Sequence, residues 1–78
     1  MTATNYLIVS PDRVQAGDVY KFIPAMDGAP ALYADVLQVL AGRNLVQVRW
    51  WDDDRTVWTY VKPPAGQVAF GRKNGVNQ

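Results

Sequence analysis

Residues 45–61, LVQVRWWDDDRTVWTYV, constrain the chain more than any other stretch. Val46, Val48 and Trp50 alternate with Gln47, Arg49 and Trp51, the two-residue period of a strand with one buried face. Asp52, Asp53 and Asp54 then interrupt with residues that favour turns and disfavour strands. Thr56 to Val61 follow as an unbroken run of β-branched and aromatic residues. The stretch therefore predicts a hairpin around an acidic tip, and it holds all three tryptophans of the chain. The alternation leaves open which face of residues 56–61 is buried.

A chain of 78 residues has room for one core. With no cysteine, neither disulfides nor thiolate metal sites reinforce it. Large rings are the remaining means of filling a small core, and 12% of the residues are aromatic. All seven acidic residues are Asp, which prefers turns and caps, so the composition favours strands over helices. The formal charge of +1 gives no general attraction to nucleic acid or anionic membrane. No apolar run approaches a membrane span, and residues 6–9 are too short and lack the basic flank of a leader. A soluble cytoplasmic protein is the expectation.

The other elements follow in order. Tyr6-Leu7-Ile8-Val9 has strand composition, and Ser10-Pro11-Asp12 ends it or opens a short helical turn. Residues 19–23 alternate, with Val19 and the Lys21 stem on one side and Tyr20 and Phe22 on the other. Residues 24–30, PAMDGAP, read as a loop whose small apolar sides suit folding over the core. Residues 31–41 fit an amphipathic helix, with Leu32, Val36, Val39 and Leu40 on one face. As a strand they would set Leu32, Ala34, Val36, Gln38 and Leu40 against Tyr33, Asp35, Leu37 and Val39. The strand is preferred, because Gly42-Arg43-Asn44 leads as a hairpin loop straight into Leu45. Lys62-Pro63-Pro64-Ala65-Gly66 cannot continue a ladder and predicts a 3₁₀ turn. Residues 67–70 read as a last short strand, and residues 71–78 as a flexible basic tail.

Five short strands, a long loop after the first, tight central hairpins and a 3₁₀ turn before the last describe an all-β, five-stranded SH3-like barrel. It would span residues 16–70, preceded by an N-terminal segment, residues 1–15, with an additional strand. Within it, Tyr33-Ala34-Asp35-Val36 followed by Val46-Gln47-Val48-Arg49-Trp50-Trp51-Asp52 resembles the middle strands of Tudor-like domains. There a Tyr-x-x-Val strand pairs with a Val-x-Val-x-aromatic strand that ends in an acidic turn. Asp53 and Asp54 stand where that pattern usually has glycine. The resemblance implies a cage for methylated lysine or arginine by cation–π contact, with Phe22, Tyr33, Trp51 and Trp58 as its walls and Asp52 as charge partner.

Read from the residues, an exposed cluster of Trp51, Trp58 and Tyr60, joined by Tyr33 through the resemblance and flanked by Asp52 and Arg49, points to a site for a protein or peptide. The structural alternative is that these rings cover a small core. The Asp52–Asp53–Asp54 tip reads as a solvated turn neutralised by Arg49 and Arg55, because adjacent carboxylates diverge and no calcium-loop spacing is present. Nucleic-acid binding is the alternative, with the same rings stacking on bases and Arg49, Lys62, Arg72 and Lys73 contacting phosphates. Catalysis is not expected. The chain has no His, Cys or Glu and one Ser, Ser10, which excludes Ser–His and Cys–His nucleophiles and common zinc sites. A weaker likeness is to the type II dihydrofolate reductases, small SH3-like enzymes that form a pore from four copies and use a Val-Gln-Ile-Tyr stretch. Val57-Trp58-Thr59-Tyr60 lacks its glutamine, and Val46-Gln47-Val48-Arg49 lacks its tyrosine. The sequence thus points to a non-catalytic module without cofactor or metal, acting within an assembly as a homo-oligomer or as an accessory or inhibitory subunit. Compact chains of this kind are frequent in phages and mobile elements.

Overall fold

The alternation in residues 45–61 becomes an antiparallel hairpin in the computed structural model, which describes residues 6–73. Its strands are β4 (Leu45–Trp50) and β5 (Thr56–Tyr60), preceded by β1 (Tyr6–Val9), β2 (Val19–Ile23) and β3 (Leu32–Leu40) and followed by β6 (Gln67–Lys73). They form one sheet in the order β1-β6-β2-β3-β4-β5, every neighbouring pair antiparallel. The all-β expectation holds, and residues 31–41 are strand, not helix.

Three expectations change. Among the described residues the sheet has six strands with free edges at β1 and β5, not five strands closed into a barrel. The additional N-terminal strand is integral, because β1 pairs with β6 along its whole length. To do so β6 runs on through Lys73, so the first residues of the expected tail are strand; residues 74–78 lie outside the described residues. The 3₁₀ turns fall at Pro11–Arg13 and Ala41–Arg43, and residues 62–66 form bends. Ser10 caps the first turn by accepting a hydrogen bond from the Asp12 amide at 3.3 Å.

One face of the sheet carries the core: Val9, Tyr20, Ala34, Val36, Val46, Val48, Val61 and Phe70, with Trp50 and Val57 packed against it. Val46, Val48 and Trp50 thus point inward as their alternation predicts. Tyr20 makes edge-to-face contacts with Trp50 at 5.9 Å and with Phe70 at 5.6 Å between ring centroids. Val9 at the end of β1 and Val61 just after β5 share this core, and Lys62 Nζ lies 3.6 Å from Asp12, although β1 and β5 stand at opposite ends of the sheet order. The sheet must curl for those contacts to form, so its inner face folds on itself. Burial pushes the Tyr20 phenol pKa up, and the Thr59 hydroxyl only partly offsets this.

The register of β3 departs from simple alternation. Val36 faces Val48, but Gln38 faces Gln47 and Val39 faces Val46, so Leu37 is an extra residue. The bulge moves Val39 to the core side and Gln38 and Leu40 to the outer side, reversing the faces expected beyond Val36. The loop at residues 24–30 does not cover the core. It closes through Ala29 N–H to Met26 O at 3.2 Å with Gly28 at φ 79°, leaving Met26 72% exposed.

Asp18 locks the start of β2 to the end of β6. Only 1% exposed, it accepts Arg72 Nε at 2.9 Å, Arg72 Nη2 at 3.1 Å and the Gln15 amide at 2.9 Å. Burial alone would raise its pKa. The Arg72 and Gln15 hydrogen bonds, with the guanidinium charge, outweigh that and hold it below the ordinary carboxylate value.

Candidate functional site

Antiparallel register places Tyr33 and Asp35 of β3 on the outer face beside Arg49 and the residue that follows β4, Trp51. The Trp51 amide donates to the Tyr33 carbonyl at 3.0 Å, which carries the β3–β4 ladder one step past the end of β4. That bond sets the two rings against each other, stacked at 5.3 Å between centroids and 18° between planes. Asp35 then fixes the indole. Its Oδ1 accepts Trp51 Nε1 at 3.0 Å, and its Oδ2 accepts Arg49 Nη2 at 3.4 Å. Both partners of the Arg49–Asp35 pair are about half exposed, so its role is orientation more than stability. The rings remain accessible, Tyr33 at 41% and Trp51 at 48%.

This stack is a wall between two depressions. On one side lies a shallow recess of about 150 Å³ between Ala31, Leu32 and Asp52. On the other is a groove of about 500 Å³ across the outer face of β2, β6 and β1. Val19, the Lys21 stem, Ala69 and Gly71 form its floor, and Tyr6 and Ile8 its far side. Gly71 matters here because a Cβ at that position would stand 3.3 Å from Tyr6 Cβ. Ile8 is 94% exposed, an unusual position for a large aliphatic side chain. Lys21 Nζ lies 5.8 Å from the Tyr33 ring centroid, and no carboxylate within 4 Å faces it among the described residues.

The expected aromatic cluster is divided. Tyr33 and Trp51 come together, whereas Trp58 stands opposite Gln47 and Tyr60 opposite Leu45, farther along the β4–β5 hairpin. Outward is the correct direction for both, since Val57 and Val61 take the core side. Phe22 is not a wall of this site. It shares the inner face with Tyr20, packs against the core and lies 3.1 Å from where a Gly66 Cβ would stand. Asp52 lines the recess and not the groove.

The basic residues expected to meet phosphate are largely engaged. Arg49 pairs with Asp35 and not with the acidic tip, Lys62 Nζ lies 3.6 Å from Asp12, and Arg72 is held by Asp18. Lys73 stands opposite Tyr6 at the groove end. At the tip, Asp53 Oδ1 accepts the Arg55 amide at 3.0 Å, and Asp54 takes the left-handed φ of 58°. Among the described residues no group of carboxylates is placed to hold a metal.

Sequence reasoning missed Asp35, Lys21, Tyr6 and Ile8 as site residues. Asp35 had a local signal: it follows Tyr33 by two positions, on one strand face. Tyr6 and Ile8 had none, because the β1–β6 pairing that brings them to the groove is non-local.

No helix among the described residues is long and apolar enough to cross a membrane. Compared with protein-family models, curated proteins and solved structures, the chain finds no match.

Proposed function

We propose that the chain is a non-catalytic interaction module of SH3-like, Tudor-like architecture that binds a protein or peptide segment in the groove beside Tyr33 and Trp51. The architectural reading is supported by β6, which returns to pair with β2 and so places the last of five consecutive strands beside the first. The binding reading rests on one observation above all. An exposed, rigidly oriented ring pair borders a mainly apolar groove whose lining cation, Lys21, has no carboxylate partner among the described residues. Preorganised rings give contact area at little entropic cost, and a free ammonium selects an acidic group. The segment that fits is therefore extended, with bulky apolar side chains and at least one carboxylate.

A cage for methylated lysine is not part of this reading. Tyr33 and Trp51 present faces to each other, Lys21 already stands by the Tyr33 ring, and Phe22 is turned to the core. Nucleic acid is disfavoured because Arg49 and Arg72 each face a carboxylate.

Selection from a random peptide library against the wild-type chain tests the proposal, with affinities measured by tryptophan fluorescence. Enriched peptides are expected to carry apolar residues and an acid, and Trp51→Ala to weaken them at least about 10-fold, or 1.4 kcal/mol, with melting nearly unchanged. A large fall in melting temperature would make Trp51 a structural residue. Enrichment insensitive to Trp51→Ala would remove the site. Single-stranded oligonucleotide binding that falls steeply with salt would replace a peptide ligand with a nucleic acid.

A further inference from the structure

The second half of the divided aromatic cluster lies on β5, the free edge at the opposite end of the sheet from β1. Two hydrogen bonds establish which way its backbone points. The Trp50 amide donates to the Arg55 carbonyl, and the Val61 amide donates to the Asn44 carbonyl, both at 3.0 Å. Residues 55, 57, 59 and 61 therefore turn their polar groups toward β4. Thr56, Trp58 and Tyr60 turn theirs outward, where no further strand pairs among the described residues. Natural edge strands are guarded by charges, proline or a bulge. Thr56–Tyr60, TVWTY, has none of these.

Two of the three outer rows beside this edge are uncharged too, and the third sets Thr56 beside Arg49, which is paired with Asp35. Cross-strand register makes one outer row of Gln38, Gln47 and Trp58, and another of Leu40, Leu45 and Tyr60. Gln38 Nε2 donates to Gln47 Oε1 at 3.0 Å, so the polar members of the first row are already partnered. Leu40, Trp58 and Tyr60 are all substantially exposed. A charge-poor patch with aromatic residues at its centre has the composition of an interface core.

We infer that a second copy of this chain covers the edge, with β5 pairing antiparallel to β5 of the other copy about a two-fold axis at Trp58. In this register Trp58 exchanges both hydrogen bonds with its symmetry mate, and Thr56 exchanges both with Tyr60 of the other copy. Each outward N–H and C=O of the strand finds a partner. The same register brings Asp54 of one copy alongside Lys62 of the other, twice by symmetry. Lys62 is free to respond, since its contact with Asp12 is between side chains 66% and 82% exposed. Self-complementarity in hydrogen bonds, in the Trp58 row, which meets its own copy, and in terminal charges together identifies the occupant as a second copy. This inference is independent of the peptide reading, which concerns the groove over β1, β6 and β2.

Sedimentation equilibrium over a concentration series tests it. The wild-type chain is expected to dimerise. Trp58→Lys and Trp58→Glu, which oppose like charges at the axis, should each weaken dimerisation at least about 10-fold, or 1.4 kcal/mol. Mixed together, they should form a one-to-one heterodimer, because lysine then meets glutamate across the axis. Should either variant fail to fold by circular dichroism, Thr56→Pro serves instead, since it removes an amide without a strand partner in the monomer. A wild-type chain that stays monomeric throughout overturns the inference. So does a folded Trp58→Lys or Thr56→Pro variant that dimerises like the wild type, or a mixture that stays monomeric.

Discussion

Replacing Asp18 with Asn keeps the shape of the buried side chain and removes its charge. Asp18 offers two oxygens to three donors, Arg72 Nε, Arg72 Nη2 and the Gln15 amide. Asn has one acceptor oxygen, and its amide group would face at least one of those N–H groups donor to donor. Hydrogen bonds involving an ionised group contribute about 1.5–3 kcal/mol each. Arg72 is partly exposed and can turn toward water, which discounts the loss. The expected destabilisation by Asp18→Asn is about 2–4 kcal/mol at pH 7. That is a large share of the roughly 4–12 kcal/mol expected for a domain this size.

The pH dependence has a definite sign. Asp18 has a folded-state pKa below its ordinary value, so the unfolded chain takes up the proton first as pH falls. Its stabilisation is complete above the unfolded pKa of about 3.9 and is lost as pH drops through the lower folded value. Urea denaturation followed by tryptophan fluorescence, at pH 7 and at a series of values below 4, measures both effects. The gap between Asp18→Asn and wild type should close on acidification, with the urea slope unchanged. A gap under about 0.5 kcal/mol at pH 7, or one that persists unaltered in acid, would refute the role given to this carboxylate.

Other substitutions probe other layers. Val48 is fully buried, so Val48→Asp places an unpaired charge in the core and should abolish cooperative folding; a soluble variant with a sharp melting transition would contradict the β4 register. Asn44 adopts φ 57°, accepts the Lys62 amide at 2.9 Å and donates to the Lys62 carbonyl at 3.2 Å. Asn44→Ala should therefore cost about 2 kcal/mol and Asn44→Gly about half that, the difference reporting the left-handed backbone; equal losses in thermal melts would contradict the assignment. Asp54→Gly should stabilise by up to about 1 kcal/mol, since glycine adopts φ 58° without strain; a lower melting temperature would show that the Asp54 side chain contributes something the backbone argument omits.

The faces of β4 were legible in the sequence because strand alternation is local: Val46, Val48 and Trp50 point inward wherever the strand pairs. The acidic turn was legible because turn chemistry is local too, whereas the left-handed φ of Asp54 was not foreseen. Alternation also put Trp51 forward as an exposed ring. It failed on β3 at Leu37, because a bulge adds one residue to one strand of a pair and depends on the partner.

What the sequence by itself determined was the all-β class, the positions of the central hairpins and the residues that fill the core. These depend on β-propensity, alternation and turn chemistry over a few residues. Only the tertiary structure decided which polar groups are available. Arg72 reads as a free cation until β6 brings it to Asp18, 54 positions away in sequence, where it becomes a lock. Lys21 reads as one charge among eight until β6 and β3 flank it with Ala69 and Tyr33 and leave it without a carboxylate among the described residues. Whether a side chain is free or engaged depends on what pairing brings beside it. Pairing between distant segments joins residues that no local pattern relates.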